Sequence, residues 1–92
     1  MQLQAQFCVG FFRLGQVQLR LKDYLKAEES FTSALEAHPR CETLQDAWHL
    51  RGEVRMKLGN RDDARADFER CVELNQSSNE GSSCRRYLEA TY

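Results

Sequence analysis

Displaced by 37 residues, the chain overlays on itself. At that offset Gly15 meets Gly52, Val17 meets Val54, Leu21 meets Leu58, Ala27 meets Ala64, Phe31 meets Phe68 and Glu36 meets Glu73. Phe11 against Trp48, Leu19 against Met56, Arg20 against Lys57 and Leu35 against Val72 are conservative matches. Such a period is the mark of a stacked supersecondary unit, because each unit buries part of its apolar surface only against a neighbour. With 92 residues there is room for one domain, so both copies belong to a single body spanning 1–92.

Each copy reads as two helices. Phe7, Phe11, Leu14 and Leu21 recur at helical spacing and mark an apolar face on the first. Lys22-Asp23 interrupts the pattern, and Asp23 is a competent N-cap for a second helix with Tyr24, Ala27, Phe31, Ala34 and Leu35 on one side. Pro39 stops that helix, since it has no amide hydrogen and disfavours helical geometry at His38. In the second copy Trp48, Gly52, Val54 and Leu58 line one helix, Gly59-Asn60 turn the chain, and Ala64, Phe68, Cys71, Val72 and Leu74 line the next. After a polar break at Gln76-Ser77-Ser78-Asn79, a last amphipathic segment places Cys84, Tyr87, Leu88 and Tyr92 on one side, in position to cap the stack. Strand-like alternation is absent, so the fold class is all-α.

Residues at these spacings resemble the tetratricopeptide repeat, a 34-residue helix-turn-helix unit. The first copy, 8–41, carries Phe11, Leu14, Gly15, Tyr24, Ala27, Phe31, Ala34 and Pro39; the second, 45–78, carries Trp48, Gly52, Gly59, Ala64 and Phe68. Residues 79–92 then form the capping helix. The resemblance implies a right-handed array of about five antiparallel helices. Gly15 and Gly52 would sit at the helix crossings opposite Ala27 and Ala64, with Phe31 and Phe68 filling the space between units. Both copies depart from the pattern, the second more so. Arg51 stands for the usual leucine, Arg61 for an aromatic, Gln76 for the proline, and Gln18 and Arg55 occupy another aromatic position. Three extra residues lengthen the link around Cys41 to Leu44.

The resemblance also implies a concave side lined by the first helix of each pair. It would present Val9, Phe12, Arg13, Gln16, Leu19 and Arg20 from the first copy, and Asp46, His49, Leu50, Glu53, Met56 and Lys57 from the second. Phe12, Leu19, Leu50 and Met56 lie off the intra-repeat faces, so they are expected to form an apolar groove for a peptide or helix. Some family members clamp an acidic chaperone tail with lysine and asparagine. Here Phe12, Gln16 and Leu50 stand at those positions, which argues against that mode. The implied role is protein–protein interaction, as an adaptor, scaffold or co-chaperone-like piece. The alternative is a fragment of a longer array, or a self-associating homo-oligomer with no ligand of its own.

Composition narrows the partner class. A net charge of −1 and a pI near 6.1 give no basic footprint for nucleic acid. No apolar run reaches membrane-spanning length, and the N-terminus lacks the pattern of a signal peptide. The four cysteines, Cys8, Cys41, Cys71 and Cys84, form no CxxC pair. Three fall within apolar helical patterns, so reduced thiols in a cytoplasmic or nuclear setting are expected. His38, Cys41 and His49 lack a fourth ligand for zinc, and neither Cys8 nor Cys84 has a nucleophile motif. No cofactor and no catalysis are expected. Glu28-Glu29 and Arg61-Asp62-Asp63 read as solvated faces, and Arg85-Arg86 is too short to mark nucleic-acid binding.

Overall fold

The computed structural model describes residues 2–90, with side chains from Phe7 onward; Thr91 and Tyr92, assigned above to the cap, lie outside the described residues. Among the described residues five α-helices follow one another: α1 (Gln2–Arg20), α2 (Tyr24–Glu36), α3 (Gln45–Lys57), α4 (Arg61–Leu74) and α5 (Asn79–Ala90). A short 3-10 turn, Pro39–Thr43, joins α2 to α3. The pairs α1–α2 and α3–α4 pack most extensively, α2 lies on α3, and α5 covers α4. Among the described residues no helix is long and apolar enough to cross a membrane.

The two hairpin turns are built alike. In the first, Leu21 N–H donates to Val17, Lys22 to Leu19 and Asp23 to Gln18; in the second, Leu58 donates to Val54, Gly59 to Met56 and Asn60 to Arg55. These bonds satisfy carbonyls left over at the helix ends, and they require a left-handed residue in the turn. Gly59 supplies it with φ 85°, whereas Lys22 adopts φ 62° with a side chain attached. Asp23 holds the N-cap position, as expected, but its side chain makes no capping hydrogen bond. Its backbone carbonyl accepts from Ala27, as that of Asn60 accepts from Ala64.

Glycine sets how closely each pair approaches. A Cβ on Gly15 would lie 2.6 Å from the Phe31 ring, and one on Gly52 would lie 2.5 Å from the Phe68 ring. The crossing is therefore glycine against phenylalanine, with Ala27 and Ala64 buried in the same clusters. Phe31 also joins Val54 of the next unit, and Phe68 stacks on Tyr87 of α5 with ring centroids 4.5 Å apart.

The apolar face read on α1 is not the buried one. Phe7, Phe11, Leu14 and Leu21 are exposed, at 58%, 38%, 47% and 74%. Cys8 and Gly15 are buried instead, with Phe12 and Leu19 packed against the first cluster. Phe12 and Leu19, assigned above to a free groove, are thus shared with the core. In the second copy α2 covers the corresponding face of α3, burying Arg51 and Val54. No described helix precedes α1 to do the same.

Proline acts as expected. His38 is extended, its Nδ1 accepts from the Arg40 N–H at 3.1 Å, and Pro39 begins the 3-10 turn that accommodates the longer link. Trp48 Nε1 donates to the Glu42 carbonyl at 2.8 Å, holding that link against α3.

The expectation of reduced thiols is overturned. Cys8 is bonded to Cys41 and Cys71 to Cys84, with Cα–Cα separations of 6.1 and 6.3 Å. All four are buried, three of them within apolar helical patterns and Cys41 in the 3-10 turn, and they face one another in pairs across elements. A reducing compartment thereby loses its support. One bridge ties α1 to the 3-10 turn and the other ties α5 to α4. Neither Cys41 as a zinc thiolate nor Cys8 or Cys84 as a nucleophile is available in this state.

The cap is held by polar contacts as well. Gln45 Nε2 donates to the Cys71 and Asn75 carbonyls, both at 2.7 Å, and its Oε1 accepts from Ser78. The Ser78 hydroxyl accepts from the Gly81 N–H at 2.9 Å and so caps the start of α5.

Candidate functional site

Three adjoining clefts run along the side formed by α1, α3 and α5. The first, about 250 Å³, lies among Phe12, Gln16, Asp46, His49, Leu50, Asn79, Glu80 and Ser83. The second, about 420 Å³, is bounded by His49, Glu53, Ser83, Arg86, Tyr87 and Ala90. The third, about 310 Å³, lies among Leu19, Glu53, Met56, Lys57 and Tyr87. The three helices run in the same direction, since Phe12 and Ser83 meet the start of α3 while Leu19 and Tyr87 meet its end. The clefts therefore form one groove, with shared residues His49, Ser83, Glu53 and Tyr87 at their junctions.

Of the residues expected on the concave side, Phe12, Gln16, Leu19, Asp46, His49, Leu50, Glu53, Met56 and Lys57 line this groove. Val9 lies elsewhere, in a cleft beside the Cys8–Cys41 bridge, and Arg13 and Arg20 are exposed on α1. Leu50 packs with Phe12 and Leu19 on the first cluster, and Met56 packs on the second, so the apolar floor is half-buried. The other wall comes from α5, which the sequence assigned to capping alone. Its amphipathic pattern marks the face that packs on α4 but gives no sign of the groove.

The groove carries a fixed polar cluster. Tyr87 Oη donates to Glu53 at 2.9 Å, and His49 Nε2 lies 3.3 Å from the same carboxylate. The contact with His49 holds the Glu53 carboxyl below its ordinary value, against the opposing effect of burial and with help from Tyr87. Burial pushes the Tyr87 phenol up, and its bond to Glu53 pushes it further. At the near end, burial and then the neighbouring Glu80 raise the Asp46 carboxyl from its ordinary value. Two carboxylates thus crowd one end of the groove, while Lys57 stands exposed at the other.

A second polar assembly lies behind the groove. Arg51, 9% exposed, donates to both oxygens of Asp67, 1% exposed, and also to Thr32 Oγ1 at 3.1 Å. Arg55 donates to Asp67 at 3.0 Å and to Glu28 at 2.8 Å. Burial works against the Arg55 charge, but Glu28 and Asp67 outweigh it and its pKa stands above the ordinary value. Glu28 is therefore an inter-repeat partner rather than part of a solvated face; Glu29 remains exposed. Arg51 also lies over the Trp48 ring, 5.0 Å from its centroid. The departures at positions 51 and 55 were visible in the sequence, but Asp67 and Thr32 were not singled out. Their only signal is a buried-side acid on α4 and a hydroxyl on α2.

Stacked helical hairpins repeating at a fixed offset, with a groove along their first helices, define a helical-repeat protein. The tetratricopeptide repeat profile matches residues 10–41, and a second version of it matches residues 45–78. The chain belongs to the tetratricopeptide repeat family, whose repeats mediate protein–protein interactions. Comparison with curated proteins finds no match.

Proposed function

We propose that this protein is an adaptor that holds a short peptide or helix in the groove between α1, α3 and α5. The observation that supports this most is the groove's make-up. A half-buried floor of Phe12, Leu19, Leu50 and Met56 offers apolar contact, and its walls carry polar groups that fix orientation. Charge gives it a direction. Asp46 and Glu80 crowd one end and favour a cationic residue, while Lys57 at the other end favours an acidic one. The matching partner is apolar in its middle, basic at the end beside the start of α3, and acidic at the far end.

Phe12 and Leu50 belong to the core as well, so truncating them would confuse binding with stability. The test uses a display library of short peptides selected on the oxidised chain, followed by Asp46→Lys and Lys57→Glu variants. The reading expects enriched peptides with the stated polarity and at least ten-fold weaker binding to each variant. Peptides of no consistent polarity, bound equally by both variants, would refute it.

A further inference from the structure

We propose that the outer face of α1 is the contact surface of a twofold dimer formed by a second copy of this chain. Phe7, Phe11, Leu14, Val17 and Leu21 fall on one stripe of α1 and its turn, and Leu25 at the start of α2 extends it. All six are exposed large hydrophobic residues and no charged residue interrupts the stripe; Arg13 and Arg20 lie off its edge, toward the concave side. This surface is separate from the groove.

The internal repeat indicates the kind of occupant. The equivalent stripe on α3 is covered by a helix, α2, which meets it through Glu28–Arg55 and Thr32–Arg51 contacts. On α1 the corresponding positions are Gln18, which is bonded to Ser30, and Leu14, so a helix seated there meets no charge and packs on Leu14 where α2 meets Arg51. The stripe on a second copy of α1 suits that surface.

Geometry restricts how copies associate. Head-to-tail stacking would place the α4 face of one copy on the α1 face of the next. That α4 face is covered by α5, which is bonded to α4 through Cys71–Cys84 and turns Arg85 and Glu89 outward. Among the described residues, one end of the stack is thus covered by a polar surface and the other presents the apolar stripe. Association through the open end alone is isologous and stops at two copies. The six side chains offer roughly 600 Å² per copy, so a dimer buries about 1,200 Å², the lower bound for a specific interface.

Sedimentation equilibrium of the oxidised 92-residue chain across a wide concentration range tests this. The expected result is a reversible monomer–dimer equilibrium, weakened at least ten-fold in the double variant Leu14→Glu, Leu21→Glu, with helical circular dichroism unchanged. If that variant folds poorly, methyl resonances of the unmodified chain supply the same test. Leu14, Val17, Leu21 and Leu25 should shift with concentration, and groove residues such as Met56 should not. A chain that stays monomeric throughout, a dimer indifferent to a folded double variant, or shifts confined to the groove would each overturn the proposal.

Discussion

Arg51 meets Asp67 through two hydrogen bonds, 3.0 Å from Nε and 2.7 Å from Nη2, at positions where the first repeat holds Leu14 and Ser30. Arg55 completes the assembly, and its counterpart Gln18 accepts a neutral bond from Ser30 at 2.6 Å. The two repeats thus solve one packing position in two ways, by ions and by an uncharged pair. Because both arginines are counter-charged by one buried carboxylate, Asp67→Ala should cost about 3–5 kcal/mol in urea denaturation. Transplanting the first repeat's residues, as Arg51→Leu, Arg55→Gln and Asp67→Ser together, should recover all but about 1 kcal/mol of that loss. A triple variant no more stable than Asp67→Ala would show that the repeats are not interchangeable at this site.

Lys22 and Gly59 occupy equivalent turns, but only glycine adopts a positive φ without steric cost. Lys22→Gly should therefore raise stability by about 0.5–1 kcal/mol, and Gly59→Ala should lower it by about 1 kcal/mol. Thermal melting of both variants checks the pair of signs; a destabilised Lys22→Gly would contradict the account.

Each disulfide closes a loop of different length, 33 residues for Cys8–Cys41 and 13 for Cys71–Cys84. Loop-closure entropy alone assigns them up to about 4 and about 3 kcal/mol respectively. Removing the second, as Cys71→Ala with Cys84→Ala, should also loosen α5 specifically. Hydrogen exchange should then quicken in α5 while α1 and α2 keep their protection. Uniform acceleration along the chain would argue that the bridge does not act locally.

The Tyr87–Glu53 bond makes docking of α5 sensitive to pH in a defined direction. Tyr87 is raised above its ordinary value of 10.0 by burial, so the stability it contributes is full below that value and lost as pH climbs through its folded pKa. Glu53 is lowered from 4.5 by His49, so its contribution is present above 4.5 and lost as pH falls through its folded pKa. Melting temperatures of the native chain should decline at both extremes, and Tyr87→Phe should flatten the alkaline decline. An unaltered alkaline limb in Tyr87→Phe would remove Tyr87 from the explanation.

The sequence made the helices and their pairing readable because glycine, alanine and phenylalanine recur at one offset and each has a packing reason to do so. It misled on α1. Periodicity reports that a face is apolar, not that something covers it, and Phe7, Phe11, Leu14 and Leu21 form such an uncovered face. The cysteines illustrate a related limit. Apolar periodicity implies burial for three of the thiols along their own helices, whereas Cys8–Cys41 and Cys71–Cys84 depend on how separate elements meet. The same holds for Asp67, whose partners lie on another helix 12 and 16 residues away. Most of the α1 and α3 residues that line the groove are legible through the family resemblance. The wall from α5 was not, since Ser83, Arg86 and Tyr87 face the groove only because α5 folds back across α4.

The most direct test of the binding role is a residue-level map of where a selected peptide sits. Proton–nitrogen correlation spectra of the labelled, oxidised chain should be titrated with the tightest peptide from the display library. The account predicts the largest shifts at Gln16, His49, Glu53, Met56, Lys57 and Tyr87, with the outer face of α1 unaffected. Shifts centred on Phe11, Leu14 and Leu21, with the groove silent, would contradict it.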